Sequence, residues 1–376
     1  MSTVPTTGKQ LRSLVSAEGQ LELSLVDVAV PVPTGTEVLI RVEASPINPS
    51  DLGLLIAGAD VSAMTRAANG GATTAPIDPS ILKTLSGRYG QSMAVGNEGA
   101  GTVVAAGDSP AAQALLGRTV AVAGGSMYAE YRVVDASACL VLPEGTPASA
   151  GASSFVNPMT ALGMVETMRM EGHSALVHTA AASNLGQMLV KLCQEENVPL
   201  VNVVRSPAQE ATLRALGAQY VCDSSKPTFM SELVAAVTAT KATLGFDATG
   251  GGNLASQLLT AMEQAAIANS TEYSRYGSTT FKQVYIYGGL ERSVTTLSRS
   301  FGFSWGIGGW LLTPFLIKLG GEGINRLRQR VADGITTTFA SHYSRTITLD
   351  EALDPANVAV YARQATGEKF LITPHG

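Results

Sequence analysis

Metal ligands, disulfide partners and charge of either sign are all scarce in this 376-residue sequence. Its three cysteines, Cys139, Cys193 and Cys222, stand far apart with no CxxC or Cys/His spacing, which makes them free buried thiols rather than a disulfide framework or a metal knuckle. A catalytic zinc needs about three Cys, His or carboxylate ligands, and the chain has only four histidines, two of them (His342 and His375) near its C-terminal end, so no metal site is expected. Twenty-five basic residues face thirty acidic ones, a net charge of −5, and no run of Lys or Arg could neutralise a phosphate backbone; nucleic acid is excluded as a partner. No stretch reaches the roughly 18 apolar residues of a spanning helix. The longest candidate, 305–319, is broken by glycines and Pro314, and the start MSTVPTTGKQLRS lacks the apolar core of a signal peptide, so a cytoplasmic protein without membrane contact is expected.

A 45% hydrophobic, 15% charged composition describes a well-folded globular chain, and its length suggests two domains. Up to about residue 145, short apolar runs (LELSLVDV, EVLIRVEA, GTVVAAG, RTVAVAGG, AEYRVV, CLVLPEG) alternate with turn residues and predict a mostly β domain over 1–153. Within it, 58–93 is rich in Ala, Gly, Thr, Ser and Pro with weak periodicity, and reads as either a lid or an inserted surface loop. After residue 153 the period changes: SALVHTA, LGQMLVKLCQEEN and PLVNVV form a βαβ unit, and the alternation continues to QVYIYGG. This predicts an α/β domain over 154–338 with a doubly wound parallel sheet, followed by a segment, 339–376, that returns to the first domain.

The turn after SALVHTA reads AAASNLGQ where a dinucleotide fingerprint would read GxGxxG; Gly186 alone remains. The context is nevertheless that of a pyrophosphate turn. A strand precedes it, a helix follows, and small Ala180, Ala181, Ala182 and Ser183 permit close approach to helix N-terminal amides. The bland alternative is a small-residue turn that only packs helix on sheet. Nineteen residues beyond Gly186, the next strand ends in Arg205 where an enzyme preferring NAD would carry Asp or Glu. A guanidinium there suits a ribose 2′-phosphate, hence NADPH, unless Arg205 is simply a solvated surface residue. Two later turns, one with Thr249 and Gly250 and one with Tyr287, Gly288 and Gly289, follow strands at the same sheet edge, as ligand loops or as plain turns.

PINPSD at 46–51, VGNEGAG at 95–101, NPMTALGM at 157–164, NVVRS at 202–206, YGGL, GGWLL and TGEKFLI occur in the order found in medium-chain dehydrogenases/reductases, and the chain resembles that superfamily's zinc-independent branch of quinone oxidoreductases and enoyl thioester reductases. The resemblance covers most of the chain. It implies a GroES-like catalytic domain with a Rossmann domain, an active site in the cleft between them, and hydride transfer from NADPH to an apolar or aromatic small-molecule acceptor such as a quinone or an α,β-unsaturated carbonyl. Residue by residue it implies that Asn48, Asn157 and Thr160 approach the nicotinamide and its ribose, that Ser183, Asn184, Leu185 and Gly186, with Ala182 before them, hold the pyrophosphate, and that Arg205 and Lys369 bracket the NADP end. It also implies a homodimer built on Rossmann edge strands, for which QVYIYGG is the apolar candidate.

The chain departs from its relatives in two places. Zinc-dependent members carry Gly-His-Glu where this chain has Gly96-Asn97-Glu98, and often a four-cysteine lobe that is missing here. Enoyl thioester reductases place a tyrosine soon after the PINPSD segment, but this chain reads LGLLIAGAD, so no catalytic acid is assigned. Tyr89 in the 58–93 segment is the candidate substitute, since a phenol can protonate an enolate; without it, backbone donors or water must stabilise the acceptor's charge. His173 and His178 flank the first Rossmann strand and receive no role. The 58–93 segment and the aromatic stretch from Phe301 through Trp305 to Trp310 either line a roomy apolar pocket or form a peripheral hairpin and an ordinary buried helix. Enoyl thioester reduction and NADPH binding without turnover stand as alternatives, because fold alone does not establish catalysis.

Overall fold

A computed structural model describes residues 4–271 and 273–376. The chain forms two compact units, Met1–Val156 with Arg328–Gly376, and Asn157–Leu327.

The first unit is mostly β. Strands Thr7–Val15 and Gln20–Ala29 pair antiparallel, and their period of two turns Leu11, Val15, Leu21 and Leu23 into a common core with Tyr128 and Ile372. A second sheet is built around Glu37–Pro46, which pairs with Glu98–Ala106 on one side and with Tyr131–Asp135 and Phe370–Ile372 on the other. The last of these comes from the C-terminal tail, so the unit closes only when the end of the chain is in place.

The 58–93 segment is neither a lid nor a loose surface loop. Thr73–Pro76 hydrogen-bonds to Gln20–Ala29 and Thr65–Arg66 extends the sheet outward. Met64, Ala75 and Ile77 are buried in the same core as Leu21. Its composition concealed this because the strands are only two and four residues long, too short to show a period.

The second unit contains a six-stranded parallel sheet ordered Tyr220–Asp223, Leu200–Val204, Leu176–His178, Leu244–Asp247, Lys282–Ile286, Trp305–Gly309. Leu200–Val204 is buried at every position, as expected of a strand covered on both faces. The helix Asn184–Glu195 turns Leu185, Met188, Leu189 and Leu192 toward the sheet at helical spacing. Strand order reverses between Leu176–His178 and Leu244–Asp247, which defines the topological switch point where doubly wound sheets bind ligands.

Two expectations for this unit are corrected. QVYIYGG is not an edge: Lys282–Ile286 has a parallel neighbour on each side, and the outermost strand is Trp305–Gly309. The 301–310 stretch is therefore a strand with its approach, not a buried helix; Phe301 is buried in the core of this unit with Trp305 packed against it, and Phe303 is exposed. Phe301 packs edge-on to Trp305 at 4.8 Å, and Trp310 packs against Phe246 and Phe315 while its indole N–H donates to Thr167 Oγ1 at 3.1 Å. Four glycines in two adjacent segments had hidden the strand. Among the described residues no helix is long and apolar enough to cross a membrane.

Candidate functional site

Because all six strands run parallel, the turns after them collect at one edge. At the switch point that edge is formed by Thr179–Ser183 and Ala248–Gly250. Ser183 caps the helix Asn184–Glu195, its Oγ accepting from Gly186 N at 3.2 Å, and a helix N-terminus is where an anion is favoured. Ala180 takes φ 49°, a left-handed conformation that a fingerprint glycine would adopt without strain. Gly186 has no such freedom to lose. A Cβ there would lie 2.1 Å from Ala181 O, so glycine is required for the helix to close on the strand.

The neighbouring turns are tied together by Asp247, which is fully buried. One carboxylate oxygen accepts from Thr179 Oγ1 at 2.7 Å and Thr249 N at 2.9 Å, the other from Gly250 N at 3.1 Å. Thr179 Oγ1 in turn accepts from Ala248 N. Gly288 approaches so closely that a Cβ would sit 2.6 Å from Ala248 O, whereas Gly289 stands in open space. The Tyr287 phenol is hydrogen-bonded to His178 Nε2 at 2.7 Å and stacks on that ring. Burial pushes the phenol up and pulls the His178 imidazole down to about 3, so the pair is neutral at physiological pH. Arg205, at the end of Leu200–Val204, is exposed, and its backbone N–H donates to Gln209 Oε1 at 3.0 Å. Asn157 and Thr160 lie in the first turns of Val156–Met170, Thr160 buried and Asn157 half-buried.

The first unit holds a second polar group. Asn48 is 1% exposed and its Nδ2 donates to Glu98 Oε1 at 2.8 Å. The other Glu98 oxygen accepts from the backbone N–H groups of Phe155 and Val156 at 2.8 and 2.9 Å. Burial raises the Glu98 carboxyl, and the positive charge of Lys369 opposes the shift. The Lys369 ammonium donates to Ser153 Oγ at 2.7 Å and is pulled down to about 8 by burial, with Glu98 and Asp51 holding it up. Lys369 is thus engaged with Ser153 and faces the charges of Glu98 and Asp51 within the first unit. Tyr89 is not a free acid. Its hydroxyl donates to Leu82 O at 2.6 Å and its ring packs on the core of the sheet.

Asp51, 2% exposed, accepts from Asn48 N and Asn97 N, each at 2.8 Å. Burial raises its carboxyl from 3.8 to about 7, the two backbone donors opposing and Glu98 adding. The folded chain therefore holds this proton more tightly than the unfolded chain, a contribution complete below about pH 4 and lost as pH rises through about 7. Asp51→Asn should remove roughly 4 kcal/mol of the fall in unfolding free energy across that window. Urea titrations at several pH values test this; parallel curves for the two proteins would refute it.

Sequence reasoning missed Asp51, Glu98, Thr179 and Asp247 as organisers. Asp247 is a lone charged residue after the apolar run Leu244–Phe246, which was an available signal; Asp51, Glu98 and Thr179 each have polar neighbours that masked theirs. Where zinc-dependent relatives have a histidine ligand, Asn97 donates to Ser50 Oγ, and among the described residues no group of three His, Cys, Asp or Glu side chains is placed to hold a metal ion.

Residues 34–144 match the alcohol dehydrogenase GroES-like domain. A Mesorhizobium loti protein described as a candidate NADPH:quinone reductase superposes with a TM-score of 0.72 at 27% identity, over 99% of this chain and 100% of that one. A mycobacterial protein described as complexed with NADPH shares the fold, with a TM-score of 0.67 at 16% identity over 98% and 100% of the two chains. The mitochondrial enoyl-[acyl-carrier-protein] reductase of Mus musculus is 32% identical over 157 residues, 39% of this chain, and the match spans only 42% of the relative's length. With its GroES-like domain, its six-stranded parallel sheet and a likeness over nearly its full length, this chain is similar to the medium-chain dehydrogenases/reductases, and the proteins it resembles are described as quinone reductases and enoyl reductases.

Proposed function

We propose that this chain is an NADPH-dependent oxidoreductase that delivers a hydride to a quinone or an α,β-unsaturated carbonyl without a metal ion. The observation that carries the reading is the carboxyl edge of the parallel sheet, where a switch point, a helix N-terminus closed down on Gly186 and an exposed arginine coincide. When bound, NADPH supplies the hydride from its nicotinamide. The chain's own residues bind and orient. The turn formed by Ala182, Ser183, Asn184, Leu185 and Gly186 holds the pyrophosphate at the helix N-terminus, with Gly186 N taken up by Ser183 Oγ and Ser183 N by Ala180 O, the Thr249-Gly250 and Gly288-Gly289 turns shape the edge, and Arg205 takes the 2′-phosphate. Parts for Asn48, Asn157, Thr160 and Lys369 rest on the resemblance alone. The accompanying proton comes from water, since Tyr89 is committed to Leu82 and no other acid is assigned.

Loss of the reduced-nicotinamide absorbance, measured against quinones, enones, enals and an enoyl thioester with NADH as control, tests this. Turnover of a quinone or enone is the expected result. Turnover of the enoyl thioester alone would favour the second reading, supported by the likeness to the mouse enoyl reductase; tight NADPH binding with no turnover would leave a binding protein. Arg205→Ala should raise the Kd for NADPH by roughly 10- to 100-fold, the worth of a charge-assisted contact, and leave NADH within about twofold. Equal losses for both cofactors would remove Arg205 from the site.

A second copy of this chain is the proposed partner. Trp305–Gly309 has a neighbour on one side only, and Phe281, Phe303, Leu311 and Ile317 are exposed in the flanking segments. Light scattering should give the mass of a dimer; a monomer at micromolar concentration would exclude this interface.

A further inference from the structure

We propose that Lys226 is the second cation for the 2′-phosphate of NADPH, and that the Glu210 carboxylate, to which it is bound, competes with that phosphate for it. The inference rests on the assignment of Arg205 to the same phosphate, and it makes Glu210 a built-in control on the choice between NADPH and NADH.

Sheet register brings the two cations to one place. Leu200–Val204 and Tyr220–Asp223 run parallel as neighbours with Val204 opposite Asp223, and Ser224 N donates to Val204 O at 2.8 Å. Arg205 and the turn 224–226 therefore leave adjacent strands side by side at the carboxyl edge of the sheet. That turn is fixed. Asp223 Oδ1 accepts from Ser225 N at 2.9 Å and from Ser225 Oγ at 2.8 Å, and Lys226 N donates to Asp223 O at 3.1 Å. Arg205 is exposed and the Lys226 side chain is 38% exposed, so a solute can reach both.

Glu210 closes the arrangement. It stands in the first turn of the helix Pro207–Ala215, which begins two residues after Arg205, and its Oε2 accepts from Lys226 Nζ at 2.7 Å. The ammonium is thus tied to the start of a helix whose N-terminal dipole also favours an anion. The other Glu210 oxygen faces Arg214 Nη2 at 3.3 Å, and Arg214 is itself held by the carbonyls of Ala218 and Gln219. If Lys226 moves, Glu210 keeps Arg214 and is not left without a cation. A partly exposed ion pair contributes little to stability, whereas a phosphate monoester near neutral pH carries about two negative charges and three acceptor oxygens. An ammonium on a flexible four-carbon stem can exchange the one partner for the other.

The test is calorimetric titration of the full chain with adenosine 2′,5′-bisphosphate and with 5′-AMP, which differ only in the 2′-phosphate, and then with NADPH and NADH, all at low ionic strength where screening is weak. Lys226→Gln should weaken the bisphosphate and NADPH by roughly tenfold and leave 5′-AMP and NADH within about twofold, which also shows that the variant is folded. Glu210→Gln should tighten the bisphosphate and NADPH by roughly threefold, and the gain should vanish when Lys226→Gln is added. The proposal fails if Lys226→Gln affects both nucleotides of a pair alike, if Glu210→Gln weakens the bisphosphate, or if its gain persists without Lys226. Should Arg205→Ala remove the preference for the 2′-phosphate while Lys226→Gln does not, Lys226 alone is excluded and the NADPH reading stands; if neither variant moves that preference, the NADPH reading falls with it.

Discussion

Gly186→Ala is expected to abolish NADPH binding and to destabilise the Asn157–Leu327 unit by roughly 2–4 kcal/mol. The added Cβ would meet Ala181 O at 2.1 Å, Ala181 C at 2.5 Å and Ala181 Cα at 2.8 Å. These are backbone atoms of the turn that follows a central strand, where Ala181 N donates to Val203 O, and they cannot swing aside, so the helix Asn184–Glu195 would have to lift from the sheet. Lifting it opens the packing of Leu185, Met188 and Leu189 and moves the amides that would face the pyrophosphate. Ala180→Gly is the matched control: φ 49° suits glycine, and the change should be neutral or slightly stabilising. Urea unfolding with fluorescence titration of NADPH separates the two variants, and a wild-type midpoint and Kd in Gly186→Ala would show that the close approach has been misjudged.

Glu98→Leu carries the other large effect, a loss of roughly 3–5 kcal/mol from the unit that contains it. Glu98 is 1% exposed and takes up three donors: Asn48 Nδ2 and the backbone N–H groups of Phe155 and Val156. Its charge also faces the Lys369 ammonium. Leucine would leave the three donors without an acceptor and the ammonium, still donating to Ser153 Oγ, without its counter-charge. Hydrogen exchange at the Phe155 and Val156 amides should accelerate along with the loss of stability. Adding Lys369→Met should restore part of it, because an unpaired buried charge then disappears. If the double variant is no more stable than Glu98→Leu, the ammonium and carboxylate are not coupled.

Most of the second unit was legible because its signals are local. A helix such as Asn184–Glu195 declares itself through Leu185, Met188, Leu189 and Leu192, and a twice-covered strand such as Leu200–Val204 through an unbroken apolar run. The 58–93 segment and Trp305–Gly309 were misread because short or glycine-rich strands derive their stability from a neighbour's backbone, which leaves no mark on their own side chains. Tyr89 illustrates the same limit at the level of one group: a phenol near a candidate cleft in sequence was already bound to Leu82 O.

The sequence by itself determined the alternation of elements, the parallel sheet it implies, the position of the small-residue turn that opens the helix Asn184–Glu195 and the basic residue at the end of the second strand of that sheet. All of these depend on residues within about one helical turn or one strand of each other, where periodicity and capping chemistry act. Only the tertiary structure decided that Gly186 is irreplaceable, that Asp247 and Thr179 tie the turns together, that Glu98 gathers Asn48, Phe155 and Val156, and that Trp305–Gly309 is the outer strand. Those facts join residues up to about seventy positions apart, and burial fixes them by the cost of leaving any one polar group unpaired.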